Sequence, residues 1–588
     1  MKQFFKFLLA SVLGTLFAFG LFAFLGIGVL GSLASMGEQK TVISDNSILV
    51  VNVEGVIPDR TNNTQMDPFA LSDEKVLGLS DIQRCIEAAK TDENIDGIYL
   101  KAGNSALPMA SANSLRASIE SFKESGKFVI AYADNFSQNG YYMATVADSI
   151  YLNPAGSLEF RGYSATLTFF KKMLDKIGVK MEVFYAGKFK SATEPFRLDK
   201  MSPENKVQVR EMINDLYSDF IADISVERNI SDEELRSLAG EHLLWTPEQA
   251  LAAGLIDGID YKTEVKSAIN DNLGLEADKK IKSVSLNEYF KNLSTDLSIK
   301  DKIAVIYAEG SIVNGKGQPG SIGDESYMKY IQKAMDDKKV KAIVLRVNSP
   351  GGSAQASENI LNHIKMAQDK GKPVVVSMGD YAASGGYFIS AEADKIYAQE
   401  NTITGSIGVF LMLPNTQELM EEKIGITFDT VKTAKFSTSI NPMMGIGPAE
   451  AKELQFMADN VYDRFLNIVS EGRNMDKAEV NEIAQGRVWT GKRAVEIGLV
   501  DEIGDLNQAI AAAADLAGLE KYRLKNFPAV KDPIQAFLDQ LQKKDNQIAT
   551  QILEQELGDY YKTYQSLKSA VDNDQIIMMQ MPFDITIQ

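Results

Sequence analysis

Two histidines, His242 and His363, are all that a chain of 588 residues contains. A zinc site built on imidazoles, or a Ser-His-Asp triad, has almost nothing to draw on. A single cysteine, Cys85, excludes an intrachain disulfide. It sits in the apolar-periodic stretch from Asp81 to Lys90 and reads as a core residue. Basic residues are the minority, 61 against 79 acidic ones, for a net charge of −18. That balance excludes nucleic acid as a partner, because phosphate binding needs basic patches. It serves solubility instead. No metal site and no cofactor are expected.

Apolar residues are not lacking: 45% of the chain is hydrophobic and 24% charged, the proportions of a globular protein. The length exceeds what one hydrophobic core supports, so two or more domains are expected. No charge occurs from Phe7 to Gly37, a run of 31 residues. At about 1.5 Å per residue such a helix spans the roughly 30 Å hydrocarbon layer even when tilted. Lys2 and Lys6 precede the run and Glu38 follows it. The positive-inside bias then leaves the short N-terminus in the cytoplasm and the body across the membrane. The apolar region of a cleaved signal peptide is shorter, about 7–15 residues. A retained signal anchor is the reading.

The body repeats itself. Both tryptophans sit in one context: LWTPEQALAAGLIDGI (Leu244 to Ile259) and VWTGKRAVEIGLVDEI (Val488 to Ile503), 244 residues apart. Upstream, Ala147-Asp148-Ser149-Ile150-Tyr151 matches Ala393-Asp394-Lys395-Ile396-Tyr397 at an offset of 246. ILVVNVEGVI (Ile48 to Ile57) matches IAVIYAEGSI (Ile303 to Ile312) at 255. Matches in one order with a small drift imply a duplicated fold. Strands are expected at Ile303–Ala308, Ala342–Val347 and Val374–Ser377, with helices at Tyr327–Asp337 and Ser357–Gln368. The first copy has strands Ile98–Leu100 and Phe128–Ala133 around a helix Ser114–Ser125. Alternating strands and helices imply parallel βαβ units, an α/β fold. The stretch from Val284 to Lys300 reads as a linker, and the chain after about Leu519 as a polar, helix-prone tail.

Three loops separate the copies. GDYAASGGYF (Gly379 to Phe388) carries Ser384 before two glycines, where the first copy's ADNFSQNGYY has Gln138. RVNSPGGSAQ carries Gly351 and Gly352, where KAGNSALPMA has Ala106 and Leu107. GKFKSATEPF carries Lys188 and Lys190, where AKFSTSINPM repeats the first lysine as Lys435 but has Ser437 in place of the second. One copy keeps a serine and glycine loops and the other a unique lysine, as if two ancestral sites had each lost a complementary half.

The residue types fit one chemistry. A serine hydroxyl attacks only when a base takes its proton. Without a nearby histidine, a lysine can serve, provided burial lowers its pKa by roughly 3–5 units. Phe189, Phe196 and Tyr387 are candidates for that apolar cover. The oxyanion needs donors: the N–H of Gly385 is one, and that of Gly351 or Gly352 the other.

These motifs, with TGSIGV (Thr404 to Val409), resemble those of signal peptide peptidase A, a bacterial serine protease family, in its long, duplicated form. The resemblance covers nearly the whole chain after the anchor. It implies two tandem domains of the crotonase and caseinolytic-protease fold, Ser384 as nucleophile and Lys190 as general base. It also implies a homotetrameric ring or bowl that degrades remnant signal peptides and other unfolded peptides at the cell inner membrane, with the catalytic body on the periplasmic side. The expected organisation is an anchor at 1–40, the lysine-bearing copy at 41–283, a linker at 284–300, the serine-bearing copy at 301–520 and a helical tail at 521–588. Whether serine and lysine meet within one chain or between chains is open at this level. Two other functions share features of the sequence: a crotonase-type acyl-thioester enzyme, which would need neither residue, and an inactive membrane scaffold, in which the pair would be lost.

Overall fold

The computed structural model describes residues 42–61, 76–294, 296–438, 440–529 and 578–581, with scattered positions 6, 11, 14, 15, 17, 20 and 21. The anchor expected at 1–40 therefore lies almost wholly outside the described residues. Among those residues no helix is long and apolar enough to cross a membrane.

The expected strands all form, and apart from the serine strand each lies within three residues of its predicted ends. In the second copy Lys302–Glu309, Val340–Ser349 and Val374–Ala383 run parallel side by side. The last continues six residues past Ser377, ending one residue before Ser384. Their side chains are buried on both faces, so they read as continuous apolar runs rather than alternating ones. In the first copy Ser47–Asn52, Ile95–Lys101 and Phe128–Ala133 repeat the arrangement. Two large apolar clusters result, one per copy. The duplication reaches individual hydrogen bonds. Tyr141 Oη donates to the Leu255 carbonyl at 2.7 Å, and Tyr387 Oη to Leu499 at 2.8 Å. Arg228 pairs with Asp257 as Arg473 pairs with Asp501. Cys85 is fully buried, as its periodic setting implied.

Two expected boundaries change. The stretch after residue 283 is not a free linker: Lys282–Ser285 adds a parallel edge strand beside Ser47–Asn52, and the helix Leu286–Asn292 packs on the same core. The tail after residue 520 begins in the same way. Arg523–Phe527 is a parallel edge strand beside Lys302–Glu309, and Met578–Gln580 is a further strand. The described parts of the tail are thus strands, not helices. Each copy closes its sheet by returning to its own first strand.

The copies are joined by buried and polar contacts. Arg346 of the second copy forms a two-bond pair with Asp59 at 3.0 and 3.2 Å, both side chains enclosed. The long helix Pro203–Arg228 presents Glu211 to Arg487 and Asp215 to Arg493. One antiparallel ribbon crosses between them: Lys180–Ala186 of the first copy pairs with Val409–Asn415 of the second, Ala186 facing Val409. That ribbon aims the lysine loop at the serine.

Candidate active site

Ser384 stands where the strand Val374–Ala383 turns into the short helix Gly385–Phe388. Its backbone is at φ 56°, ψ −113°, a region that side chains rarely adopt. A strained turn between strand and helix is how a nucleophile is pushed out of the sheet edge. The turn is fixed by the Ser384 N–H donating to the Gly405 carbonyl at 2.8 Å. Its side chain is fully buried.

Lys190 enters from the other copy. It follows Gly187 and Phe189, whose neighbourhood is locked to the second copy by the Phe189 N–H donating to the Gln485 carbonyl at 2.8 Å. From below, Gln208 on the long helix donates to the Phe189 carbonyl and to Ser191 Oγ. Lys190 Nζ lies 2.8 Å from Ser384 Oγ, 3.0 Å from Ser406 Oγ and 3.1 Å from the Ser406 carbonyl. The side chain is 1% exposed. Burial pushes its ammonium far below the usual lysine range, with no carboxylate to oppose the shift. Gly486 is the close lid: a methyl group there would sit 2.6 Å from Lys190 Cβ. Of the expected cover, Tyr387 is fully buried. Phe189 lies beneath the Arg487 guanidinium and Phe196 stacks on Phe170.

The sequence therefore named both members of this contact. The structure brings them together within one chain. It also adds Ser406, which sequence reasoning passed over. Ser406 sits at φ 50° inside the TGSIGV segment, and its hydroxyl donates to the Gly486 carbonyl at 3.3 Å. The motif itself was the available signal. Lys188, by contrast, is exposed and its Nζ rests over the Phe189 ring.

The glycine loop lies alongside. Gly351 and Gly352 have φ of 102° and 155°, which an L side chain resists. A methyl group on Gly385 would come 3.1 Å from the Gly352 nitrogen, so these two amides border one space. The Gly351 N–H donates to Ser349 Oγ at 3.1 Å. Gly385 opens its helix, where N–H groups have no partner inside the helix. Among the described residues no cluster of acidic, cysteine or histidine side chains could hold a metal ion.

The arrangement is a hydroxyl in contact with a dry amine, beside convergent backbone amides, which is equipment for acyl transfer. The model of peptidase family S49 matches the chain twice, at 121–276 and 366–520, and that of Clp protease matches 300–404. Protease 4 of Haemophilus influenzae is 36% identical over 512 residues, covering 82% of this chain and 81% of the relative. Protease 4 of Salmonella typhi is 35% identical over 553 residues, covering 90% and 88%. A putative signal peptide peptidase SppA of Enterococcus faecium is 40% identical over 186 residues, 32% of this chain and 54% of that protein. Two family matches, one on each structural copy, and relatives aligned over most of their length show that this chain is a serine protease of peptidase family S49 in duplicated form.

Proposed function

We propose that the protein is a membrane-anchored endopeptidase in which Lys190, neutral, takes the proton of Ser384 as its oxygen attacks a peptide carbonyl. The observation that carries this reading is the 2.8 Å contact between a fully buried amine and a serine hydroxyl. A charged lysine could not accept the proton, and burial shifts Lys190 toward its neutral form. Ser406 holds the amine on the serine's side by two contacts. The oxyanion is received by the Gly385 N–H with help from Gly352, the expected alternative Gly351 having its N–H already bonded to Ser349 Oγ. Lys190, protonated after the attack, then returns the proton to the leaving amine. No metal or cofactor enters this chemistry. A crotonase-type activity would leave the Ser384–Lys190 contact without a task. An inactive scaffold would not need to retain it.

The substrates in this reading are remnant signal peptides and other unfolded peptides near the membrane. The charge-free run from Phe7 to Gly37, flanked by Lys2 and Lys6, anchors the body on the periplasmic face of the inner membrane. Protease added outside sealed spheroplasts should digest the body; a protected body would reverse the topology.

The homotetrameric ring that the family resemblance implies has a structural route in the duplication. By sequence offset, the strand Lys180–Ala186 corresponds to residues 427–433, and Val409–Asn415 to residues 162–168. The first pair makes the ribbon within the chain. Residues 427–433 lie exposed and in no ladder, with Val431 entirely uncovered, and 162–168 alternate half-buried with exposed. The same ribbon repeated between neighbours would close a ring. The deciding experiment for the chemistry is labelling with a fluorophosphonate, with Ser384→Ala and Lys190→Ala as controls. Label that persists in Ser384→Ala would overturn the assignment.

A further inference from the structure

Residues 578–581 lie in the groove beside Ser384. Met578–Gln580 runs antiparallel to Gly351–Ser353, with Gly351 facing Gln580, Gly352 facing Met579 and Ser353 facing Met578. On its other edge Met578 pairs antiparallel with Phe410. The Met581 N–H donates to the Pro350 carbonyl at 2.6 Å. A methyl group on Gly351 would collide with the Met579 carbonyl oxygen and stand 2.8 Å from the Gly385 nitrogen. That carbonyl therefore borders the same space as the amide assigned to the oxyanion. The side chains are seated as well: Met579 is 0% and Met581 7% exposed. Met579 joins the core of the second copy. Met581 joins a cluster made by Val209 and Met212 of the first copy with Ala383 and Ile403 of the second.

The sheet order gives this segment its meaning. Gly351–Ser353, Met578–Gln580, Val409–Asn415 and Lys180–Ala186 are consecutive neighbours. Without the third-from-last of these, the glycine loop and the ribbon that carries the lysine loop would be separated by a slot one strand wide. An extended peptide entering that slot would make the same backbone pairings. Backbone pairing is indifferent to sequence, and methionine fills apolar space without a polar anchor. Any peptide with apolar residues two apart can make an equivalent set of contacts. Residues 530–577 separate the segment from the body along the chain.

We propose that residues 578–581 are an internal competitor, a segment of the chain that holds the peptide groove and leaves before substrate enters. This rests on the reading of Ser384 and Lys190 as the catalytic pair. The test compares the full chain with one lacking residues 578–588, using a fluorogenic apolar peptide. The expected result is a fall in KM of about tenfold with kcat unchanged, as for a competitor in place roughly nine tenths of the time. Met579→Asp with Met581→Asp in the full chain should give the same fall, which guards against a shortened chain that fails to fold. An unchanged KM in the double variant overturns the proposal. A second arm does not depend on catalysis. A fluorescent peptide of residues 576–588 should bind the shortened Ser384→Ala protein by anisotropy and be displaced by unlabelled substrate; no binding at about millimolar peptide, the effective concentration a tether supplies, overturns it. Fluorophosphonate labelling, run in parallel, reports on the catalytic pair alone, so a failure of that reading is told apart from a failure of this one.

Discussion

The two copies share a sheet, a crossover pattern and even their tyrosine hydrogen bonds, yet they differ where strain and burial are concentrated. In the second copy Ser384 is held at φ 56°. In the first, the corresponding turn relaxes: Ser137, at φ −67°, caps the helix Gln138–Ala144. Gln138, in the place of Ser384, accepts a hydrogen bond from the Arg161 N–H at 2.8 Å. The lysine loops differ in the opposite sense. Lys190 is enclosed beneath Gly486, whereas Ser437, its counterpart, is exposed in a turn of its own. Each copy spends stability on one half of the site and has let the other half settle. Strain and dry charge are thus properties of function here, not of the fold.

The sharpest way to break this comparison is to exchange matched positions. Ser384→Ala and Lys190→Ala should each lower kcat by roughly 10⁴-fold or more, the scale on which residues acting as a unit fail. Gln138→Ala and Ser437→Ala, at equivalent places in the other copy, should leave steady-state rates within about twofold. A comparable loss at Gln138 or Ser437 would mean that both copies take part in the chemistry.

The lid gives the next largest effect. Gly486 is at φ 76° and packs on Lys190, while the first copy has His242 at the equivalent place before its tryptophan. Gly486→Ala should displace the lysine and cost about 10²-fold in kcat, as misplacement by about an ångström does. His242→Gly should have no comparable effect. Circular dichroism would verify that both variants remain folded.

Acidity distinguishes the copies in stability as well as rate. The folded pKa of Lys190 lies below its unfolded value near 10.4, so the unfolded chain binds more protons between the two. Stability rises with pH across that window, and at neutral pH the native state bears the cost of burial. Lys190→Met should therefore be inactive yet more stable at pH 7, by about 1–4 kcal/mol. The gain should shrink as pH approaches 10. Wild-type kcat/KM should climb with pH through the depressed lysine pKa. Lys190→Arg, which stays charged, should be inactive throughout. A melting temperature for Lys190→Met that falls below the parent's at pH 7 would sink the account of Lys190 as a costly residue.

Much of this was legible beforehand because duplication supplies an internal control. Long, doubly buried strands such as Val340–Ser349 announce themselves by apolar runs, and unlike loops in like frames point to Ser384 and Lys190. What escaped was short or depended on distance. Lys282–Ser285 has one buried residue, Val284, among one lysine and two serines, too little for a period. Met578–Gln580 is three residues whose partner lies some 230 positions away. Ser406 carries an ordinary hydroxyl whose role comes only from standing 3.0 Å from an amine. Gly486 is notable only once Lys190 is packed against it.

The smallest expected effect tests what the copies still have in common. Lys188 and Lys435 occupy matching places, and each rests its Nζ over the next ring, Phe189 at 5.3 Å and Phe436 at 4.9 Å. A feature retained in the copy with no counterpart of Lys190 belongs to the loop's conformation rather than to proton transfer. An exposed contact of this kind is weak. Lys188→Ala should therefore lower kcat/KM by no more than about fivefold, through a less settled approach of Lys190. The pH at which activity half-appears should not move, because the burial that sets it is unchanged. A lost rate accompanied by a shifted pH profile would mean that Lys188 acts electrostatically on Lys190. The inherited likeness of the two loops would then hide a role acquired by one of them.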